Sequence, residues 1–139
     1  IPALKNAEFL RYGVMHRNTY IHSPSVLNRD FSFKNNRRIF FAGQITGVEG
    51  YVESAASGLL AAIAIADEIL KRATHVFDER TVCGALQTHI STPCKDFQPM
   101  NANFGILSPL PVRIRDKKER YRLMAERSLA CIKEKFQGE

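Results

Sequence analysis

The sequence lacks an apolar run long enough to cross a bilayer. Its longest apolar stretch runs from Gly58 to Ala66 and ends at Asp67, whereas a membrane-spanning helix needs about 20 apolar residues. The first residues, IPALKNAEFLRYG, also lack the basic and long apolar regions of a secretory signal, and they lack an initiator methionine. We therefore expect no membrane segment, and this start is typical of a cut inside a longer gene.

Cysteine is scarce, and its three residues show no paired spacing. A disulfide framework is not indicated, and neither is a zinc site with C-x-x-C or His/Cys spacing. We expect Cys83 and Cys131 to be small buried hydrophobes and Cys94 to lie in a proline-rich loop. The cysteines therefore predict a reducing, cytoplasmic location and no metal site.

What is present fits one soluble domain with a core, because 45% of the 139 residues are hydrophobic and 24% are charged. The net charge of +6 is concentrated in the basic segment RIRDKKERYR, residues 113–122. This segment could be a solvated helix face or a contact for nucleic-acid phosphate. The candidate phosphate contacts are Arg113, Arg115, Lys117, Lys118, Arg120 and Arg122.

Strand signals are few. Residues 8–22 mix β-branched and aromatic residues with polar ones, which predicts an extended segment. The apolar run 39–42, IFFA, is typical of a short strand buried on both faces of a parallel sheet.

Helix signals dominate the rest of the chain. After residue 48, apolar residues recur at helical spacing and predict one core face, formed by Val52, Ala55, Leu59, Ile63, Ala66 and Leu70. A second helix is expected from Asp78, as N-cap, with Val82, Leu86 and Ile90 buried. A last helix is expected from Asp116, with Glu119 reaching back and Tyr121, Met124, Leu129, Ile132 and Phe136 along it. Between these two helices, a proline-rich segment with several large apolar residues should pack on the surface.

Three glycines, Gly43, Gly47 and Gly50, separate the strand IFFA from the alanine-rich helix. A helix N-terminus after a glycine loop can hold an anion or a polarised carbonyl. The spacing is not that of the dinucleotide fingerprint, and a tight turn that needs glycine only for its backbone angles explains it equally well. Glu49 and Glu53 near this helix start are interpreted as charges that complement the helix dipole.

Four motifs carry a resemblance to a known family: NAEFLRYGVMHRNTYI, FFAGQITGVEGYVESAASGLLA, FQPMNANFGIL and RIRDKKERY. In this order they closely resemble the folate- and FAD-dependent tRNA (uracil-5-)-methyltransferases, which are related to the glucose-inhibited division protein A flavoproteins. The likeness runs from Pro2 to about Leu129.

The resemblance implies an α/β fold, the C-terminal part of a Rossmann-like FAD-binding fold that is mostly helical with a few short strands. It implies that residues 1–30 end an inserted domain and form the return linker. Residues 31–139 would then be the C-terminal part of the FAD-binding domain with C-terminal helices. The missing N-terminal FAD domain of the same protein would be a partner, and the surface that it leaves exposed could drive self-association.

The resemblance also implies site residues. Contacts to FAD fall on Gly43, Gln44, Thr46, Gly47, Val48 and Glu49. The helix start around Gly47 and Val48 is expected to stabilise a reduced flavin. Contacts to folate or uridine fall on Tyr12, His16, Arg17, Asn18, Asn101 and Asn103. From the residues alone, His16 could be a structural histidine, and the amides Gln98, Asn101 and Asn103 could instead fasten a loop.

The implied activity is formation of 5-methyluridine in the T-loop of tRNA. Methylenetetrahydrofolate would supply the carbon, reduced FAD the hydride, and NAD(P)H would be a further co-substrate. The catalytic cysteines expected of the family lie upstream, so this chain alone should be inactive. A related wobble-uridine modification flavoprotein and a non-catalytic tRNA-binding module are the alternatives.

Overall fold

A computed structural model describes residues 2–10, 13 and 18–137 of the chain. The described residues form an α/β structure, about half helical, with a few short strands. Helices α1 to α4 span Ser23–Val26, Tyr51–Ile69, Val82–Ser91 and Lys117–Gln137. Strands β1 to β4 span Ser32–Phe33, Asn36–Phe40, Val48–Glu49 and Met100–Asn101. Single 3₁₀ turns lie at Pro2–Leu4, Gly43–Thr46 and Phe104–Ile106.

The strand predicted from IFFA is present, but its predicted burial and its predicted place in a parallel sheet are both wrong. Residues of this run end β2, which pairs antiparallel with β1. Most of β2 is exposed, and the side chain of Ile39 is 45% exposed. The reason is that, among the described residues, only β1 lies beside β2. In the described part of residues 8–22 there is likewise no strand.

One core cluster joins the segment before β1, strand β3, α2 and α3. Its buried members are Leu27, Phe31, Val48, Leu60, Ala61, Phe77, Leu86 and Ile90. A second, smaller cluster of Ala85, Leu107 and Met124 holds the proline-rich segment and α4 against α3. Phe97 is also buried, so the prediction that the proline-rich segment packs on the protein is confirmed.

Helix α2 buries a different face from the one predicted. Five of the six predicted core positions are exposed, and Ile63 is half-buried; Leu59 is 62% exposed. The buried residues are Ser57, Leu60, Ala61, Ala64 and Asp67. Apolar residues lie all round this helix, so periodicity could not select the face that is buried.

The two buried polar residues of α2 have partners. Ser57 Oγ accepts a hydrogen bond from Gly43 N at 2.7 Å and donates one to Ser54 O at 2.8 Å. Asp67 Oδ2 accepts bonds from the backbone nitrogen of His75 at 2.9 Å and pairs with its ring Nδ1 at 2.7 Å. Because buried polar groups are tolerated when paired, these residues can face the core.

The last two helices, α3 and α4, are each capped at the N-terminus by a nearby side chain. Helix α3 is capped by Thr81, whose Oγ1 accepts from Gly84 N at 3.0 Å, so the prediction of Asp78 as N-cap is wrong. Asp116 does cap α4, as predicted, and accepts from Glu119 N at 2.7 Å. None of the helices in residues 2–10, 13 and 18–137 is both long and apolar enough to span a membrane.

Candidate functional site

The loop from Gly43 to Gly50 connects β2 to α2 and holds every residue predicted to contact FAD. Its three glycines all have positive φ, at 74°, 83° and 92°. The turn is closed by a hydrogen bond from Gly47 N to Gln44 O at 3.0 Å and one from Thr46 Oγ1 to Gly43 O at 2.7 Å. Residues with a Cβ avoid such φ values, so the backbone alone requires glycine here.

Two of these glycines also have a neighbouring side chain that would have to move to admit a Cβ. A Cβ at Gly47 would lie 2.5 Å from Cζ of Phe97, and one at Gly50 would lie 2.3 Å from Oε2 of Glu53. The close approach that the glycines permit is therefore made by this chain's own side chains. The glycines by themselves no longer argue for a ligand.

The predicted FAD contacts differ in what they can offer a ligand. Thr46 and Val48 are fully buried, so their side chains belong to the core. Gln44 is exposed and Glu49 is half-buried. Gln44 is therefore the only fully exposed side chain of the six, while the glycines can contribute only backbone groups.

The start of α2 lies later than the sequence indicated. The helix begins at Tyr51 with Gly50 as N-cap, and no side chain caps it. Gly47 and Val48 precede this start, and Gly47 N is already engaged within the turn. The backbone N–H groups that lack a partner within the helix are therefore those of the first turn, which follows Gly50.

At this helix start, sequence reasoning missed Tyr51 and wrongly assigned Val52 to the core face. Tyr51 is 96% exposed and Val52 is 80% exposed. An aromatic residue directly after the N-cap glycine was the available signal, because it fits neither the buried face nor a usual first-turn residue. The exposed surface next to the uncapped N–H groups is therefore partly apolar.

The amides predicted to contact substrate lie beside this helix start. Strand β4 pairs parallel with β3, with Glu49 opposite Asn101. Glu53 Oε1 accepts a hydrogen bond from Ala102 N at 2.7 Å, and Asn101 Oδ1 would lie 3.1 Å from a Cβ at Gly50. The structure thus brings together the motifs FFAGQITGVEGYVESAASGLLA and FQPMNANFGIL, whose contacting residues are about 50 positions apart in the sequence.

Asn101 and Asn103 have different surroundings. Asn103 Oδ1 accepts from Gly105 N at 2.7 Å and its Nδ2 donates to Asn101 O at 3.1 Å. Asn103 therefore fastens its own loop, the role that the residues alone also suggested.

Of the other predicted substrate contacts, Asn18 is exposed. Tyr12, His16 and Arg17 lie outside the described residues.

The basic segment borders an open cleft of ≈ 860 Å³. Arg113, Arg115 and Arg120 line it. Arg122 instead pairs with Glu119 at 2.6 Å and with Glu126 at 2.5 Å. These hydrogen bonds hold the pKa of Arg122 above its usual range and that of Glu119 below it. One of the six predicted tRNA contacts is thus already neutralised.

The cysteines do not form a reactive cluster. Cys83 and Cys131 are half-buried, Cys94 is exposed, and all three are free. Burial raises the pKa of the Cys83 thiol, which opposes thiolate formation. No group of His, Cys, Asp or Glu within the described part of the chain could hold a metal ion.

Comparison with known proteins supplies the family. The model of the family described as "Glucose inhibited division protein A" matches residues 1–73, more than half of the chain. The chain belongs to this family.

Several similar curated proteins carry the name methylenetetrahydrofolate--tRNA-(uracil-5-)-methyltransferase TrmFO. The protein of Halalkalibacterium halodurans is 53% identical over 133 residues, and that of Bacillus subtilis is 54% identical over 133 residues. The Streptococcus suis protein is 56% identical over 136 residues. These alignments cover 95% or 96% of this chain but only 31% of each relative. The chain therefore spans about a third of the length of the relatives it matches.

Proposed function

We propose that the complete gene product is a folate- and FAD-dependent tRNA (uracil-5-)-methyltransferase, and that this chain forms its C-terminal part. The observation that carries the proposal is identity above 50% to proteins of that name across nearly the whole chain. When bound, FAD would supply the hydride for reduction of the transferred carbon, with methylenetetrahydrofolate and NAD(P)H as co-substrates. The product would be 5-methyluridine in the T-loop of tRNA.

The uncapped start of α2 supports a flavin site. A reduced flavin carries negative charge around N1 and the C2 carbonyl, and a helix N-terminus favours such charge by about 0.3 to 2 kcal/mol. The exposed side chain of Gln44 and the N–H groups after Gly50 fit this ligand. Gly43, Thr46, Gly47, Val48 and Glu49 would shape the loop that positions these groups.

Replacement of Gln44 tests the flavin site. We expect Gln44→Ala to lower the FAD content of the purified complete gene product, measured by its visible absorbance. Gln98→Ala is the matched control, because Gln98 is also exposed but lies in the proline-rich segment. Equal FAD content in the two variants would contradict the assignment of Gln44.

The exposed apolar surface supports the proposed Rossmann-like fold, whereas the division at residues 30 and 31 stays a prediction. Helix α2 and strand β2 expose Val52, Leu59, Ile69 and Ile39. Soluble proteins seldom leave large contiguous apolar patches uncovered, and these four residues are the exposed apolar residues that a further domain would cover. In the proposed protein, the N-terminal FAD domain covers this surface; self-association through the same surface stays a prediction.

A matched pair of leucines tests whether the N-terminal FAD domain covers α2. Leu59 on α2 and Leu129 on α4 are 62% and 61% exposed. If the rest of the protein covers α2, Leu59→Lys should destabilise the complete gene product by roughly 2 kcal/mol or more, because a charge would be buried. Leu129→Lys should stay within about 0.5 kcal/mol. Equal melting temperatures of the two variants would refute the proposed fold.

The activity itself is tested with an unmodified tRNA transcript, methylenetetrahydrofolate and NAD(P)H. We expect the complete gene product to be yellow and to form 5-methyluridine, measured by nucleoside mass spectrometry. The 139-residue chain should form none, because the expected catalytic thiols lie outside it. A colourless complete protein that binds tRNA without methylating it would refute the enzyme and support a binding module.

A further inference from the structure

The cleft beside the basic segment has walls from two parts of the chain. One wall is the segment 109–115 and the other is the first half of α4. Leu107 and Met124, each 5% exposed, contribute to an apolar floor. All of the charged residues that line the cleft are arginines. The cleft is thus a groove with positive charge and no carboxylate in its lining.

The three arginines are not neutralised by the protein. Among the described residues, Arg113, Arg115 and Arg120 form no ion pair. The nearby carboxylates of Glu119 and Glu126 are both held by Arg122. Both acids are thus engaged by a guanidinium outside the lining of the cleft, and neither forms an ion pair with the three arginines of the cleft.

Both walls are held in place before any ligand binds. Arg127 donates to the backbone oxygens of Pro109, at 2.9 Å, and of Ser108, which ties the 109–115 wall to α4. The Tyr121 ring stacks on Phe104 with a centroid distance of 4.3 Å, and the guanidinium of Arg120 lies 5.4 Å from the Tyr121 centroid. Such preorganisation lowers the entropy cost of binding.

We propose that this cleft binds the sugar-phosphate backbone of tRNA through Arg113, Arg115 and Arg120, and that Arg122 takes no part. Guanidinium groups match phosphate geometry, and the apolar floor suits the carbon face of ribose. Because Tyr121 is already stacked on Phe104, the cleft positions RNA without reading its bases. This inference rests on the proposed function, which makes tRNA the substrate.

The test measures the salt dependence of tRNA binding to the complete gene product. The cleft variant is Arg113→Gln/Arg115→Gln/Arg120→Gln. The control Lys95→Gln/Lys133→Gln/Arg72→Gln removes the same charge from exposed positions outside the cleft. Affinity for an unmodified tRNA transcript is measured by fluorescence anisotropy between about 0.05 and 0.2 M salt.

Loss of three phosphate contacts should lower the slope of log K against log salt by about 2 to 3, and affinity at about 0.1 M salt by ~100-fold. The control should keep its slope within about 0.5 of the wild type. An unchanged slope in the cleft variant, or equal losses in both variants, would overturn the inference.

Flavin absorbance and methyl transfer are recorded on the same wild-type preparation. A yellow, active wild type whose cleft variant binds tRNA normally refutes only the cleft. A colourless, inactive wild type whose cleft variant loses tRNA binding refutes the methyltransferase and supports the cleft as an RNA site.

Discussion

Gly47 is the position where the sequence and the structure give the sharpest quantitative prediction. Its φ of 83° is unfavourable for alanine, and an added Cβ would lie 2.5 Å from the ring of Phe97. Phe97 is itself buried and contacts the rings of Tyr20, His22 and His89. The ring therefore has little room to move away from a new methyl group.

The expected cost of Gly47→Ala has two parts. The left-handed backbone disfavours alanine by about 1 to 2 kcal/mol, and overpacking against Phe97 adds about 1 to 3 kcal/mol. The smaller conformational entropy of unfolded alanine offsets about 0.4 to 1 kcal/mol. We therefore expect a net destabilisation of roughly 1 to 5 kcal/mol, summed from these terms.

The assay is denaturant unfolding of the complete gene product, followed by circular dichroism. Gly58→Ala is the matched control, because Gly58 lies within α2 and a Cβ there would meet nothing within 4 Å. It should stabilise by about 0.5 to 1 kcal/mol. In a Phe97→Ala background, the cost of Gly47→Ala should fall to the backbone part, about 1 to 2 kcal/mol. The reasoning would be refuted if Gly47→Ala and Gly58→Ala changed the free energy of unfolding equally. It would also be refuted if the cost of Gly47→Ala were the same with and without Phe97→Ala.

Two carboxylates, the half-buried Glu53 and the buried Asp67, give further predictions. Glu53→Ala should destabilise by about 1 to 3 kcal/mol and speed hydrogen exchange at the Ala102 amide, because that donor loses its acceptor; Glu53→Gln keeps an acceptor and should lose less. Burial opposes ionisation of Asp67, but its hydrogen bonds to His75 outweigh burial and lower the pKa of the carboxyl. Asp67 therefore contributes stability above its unfolded pKa of about 4 and loses it as pH falls below that value. Melting temperatures of wild type and Asp67→Asn should accordingly converge on acidification, and a constant difference would contradict this.

Of the two helix caps predicted from local signals, Asp116 is confirmed and Asp78 is wrong, because Thr81 caps α3; the long-range contacts were not predicted. The cap at Asp116 involves residues three apart and was predicted. The pairing of β3 with β4 joins strands of two residues each, which are too short to show a period. The contact of Glu53 with Ala102 depends on that pairing, so it could not be predicted either.

The prediction of which face of α2 is buried was wrong for a different reason. An alanine-rich helix has apolar residues on several faces, so the sequence offers more than one core face. Ser57 and Asp67 decide the matter through hydrogen bonds to Gly43 and His75, which only the tertiary structure supplies. The face predicted as core is the one left exposed, where the proposed FAD domain would lie.

The contact between Gly47 and Phe97 changes how the glycine loop bears on flavin binding. A loop that is shaped by its own side chains has its conformation before a ligand arrives, so binding need not supply the ordering entropy. The uncapped N–H groups after Gly50 then lie at the end of a fixed turn. Phe97 would therefore act on flavin affinity without touching the flavin. On this reasoning, Gly47→Ala reduces FAD retention through the loop, whereas Gln44→Ala reduces it while leaving stability unchanged.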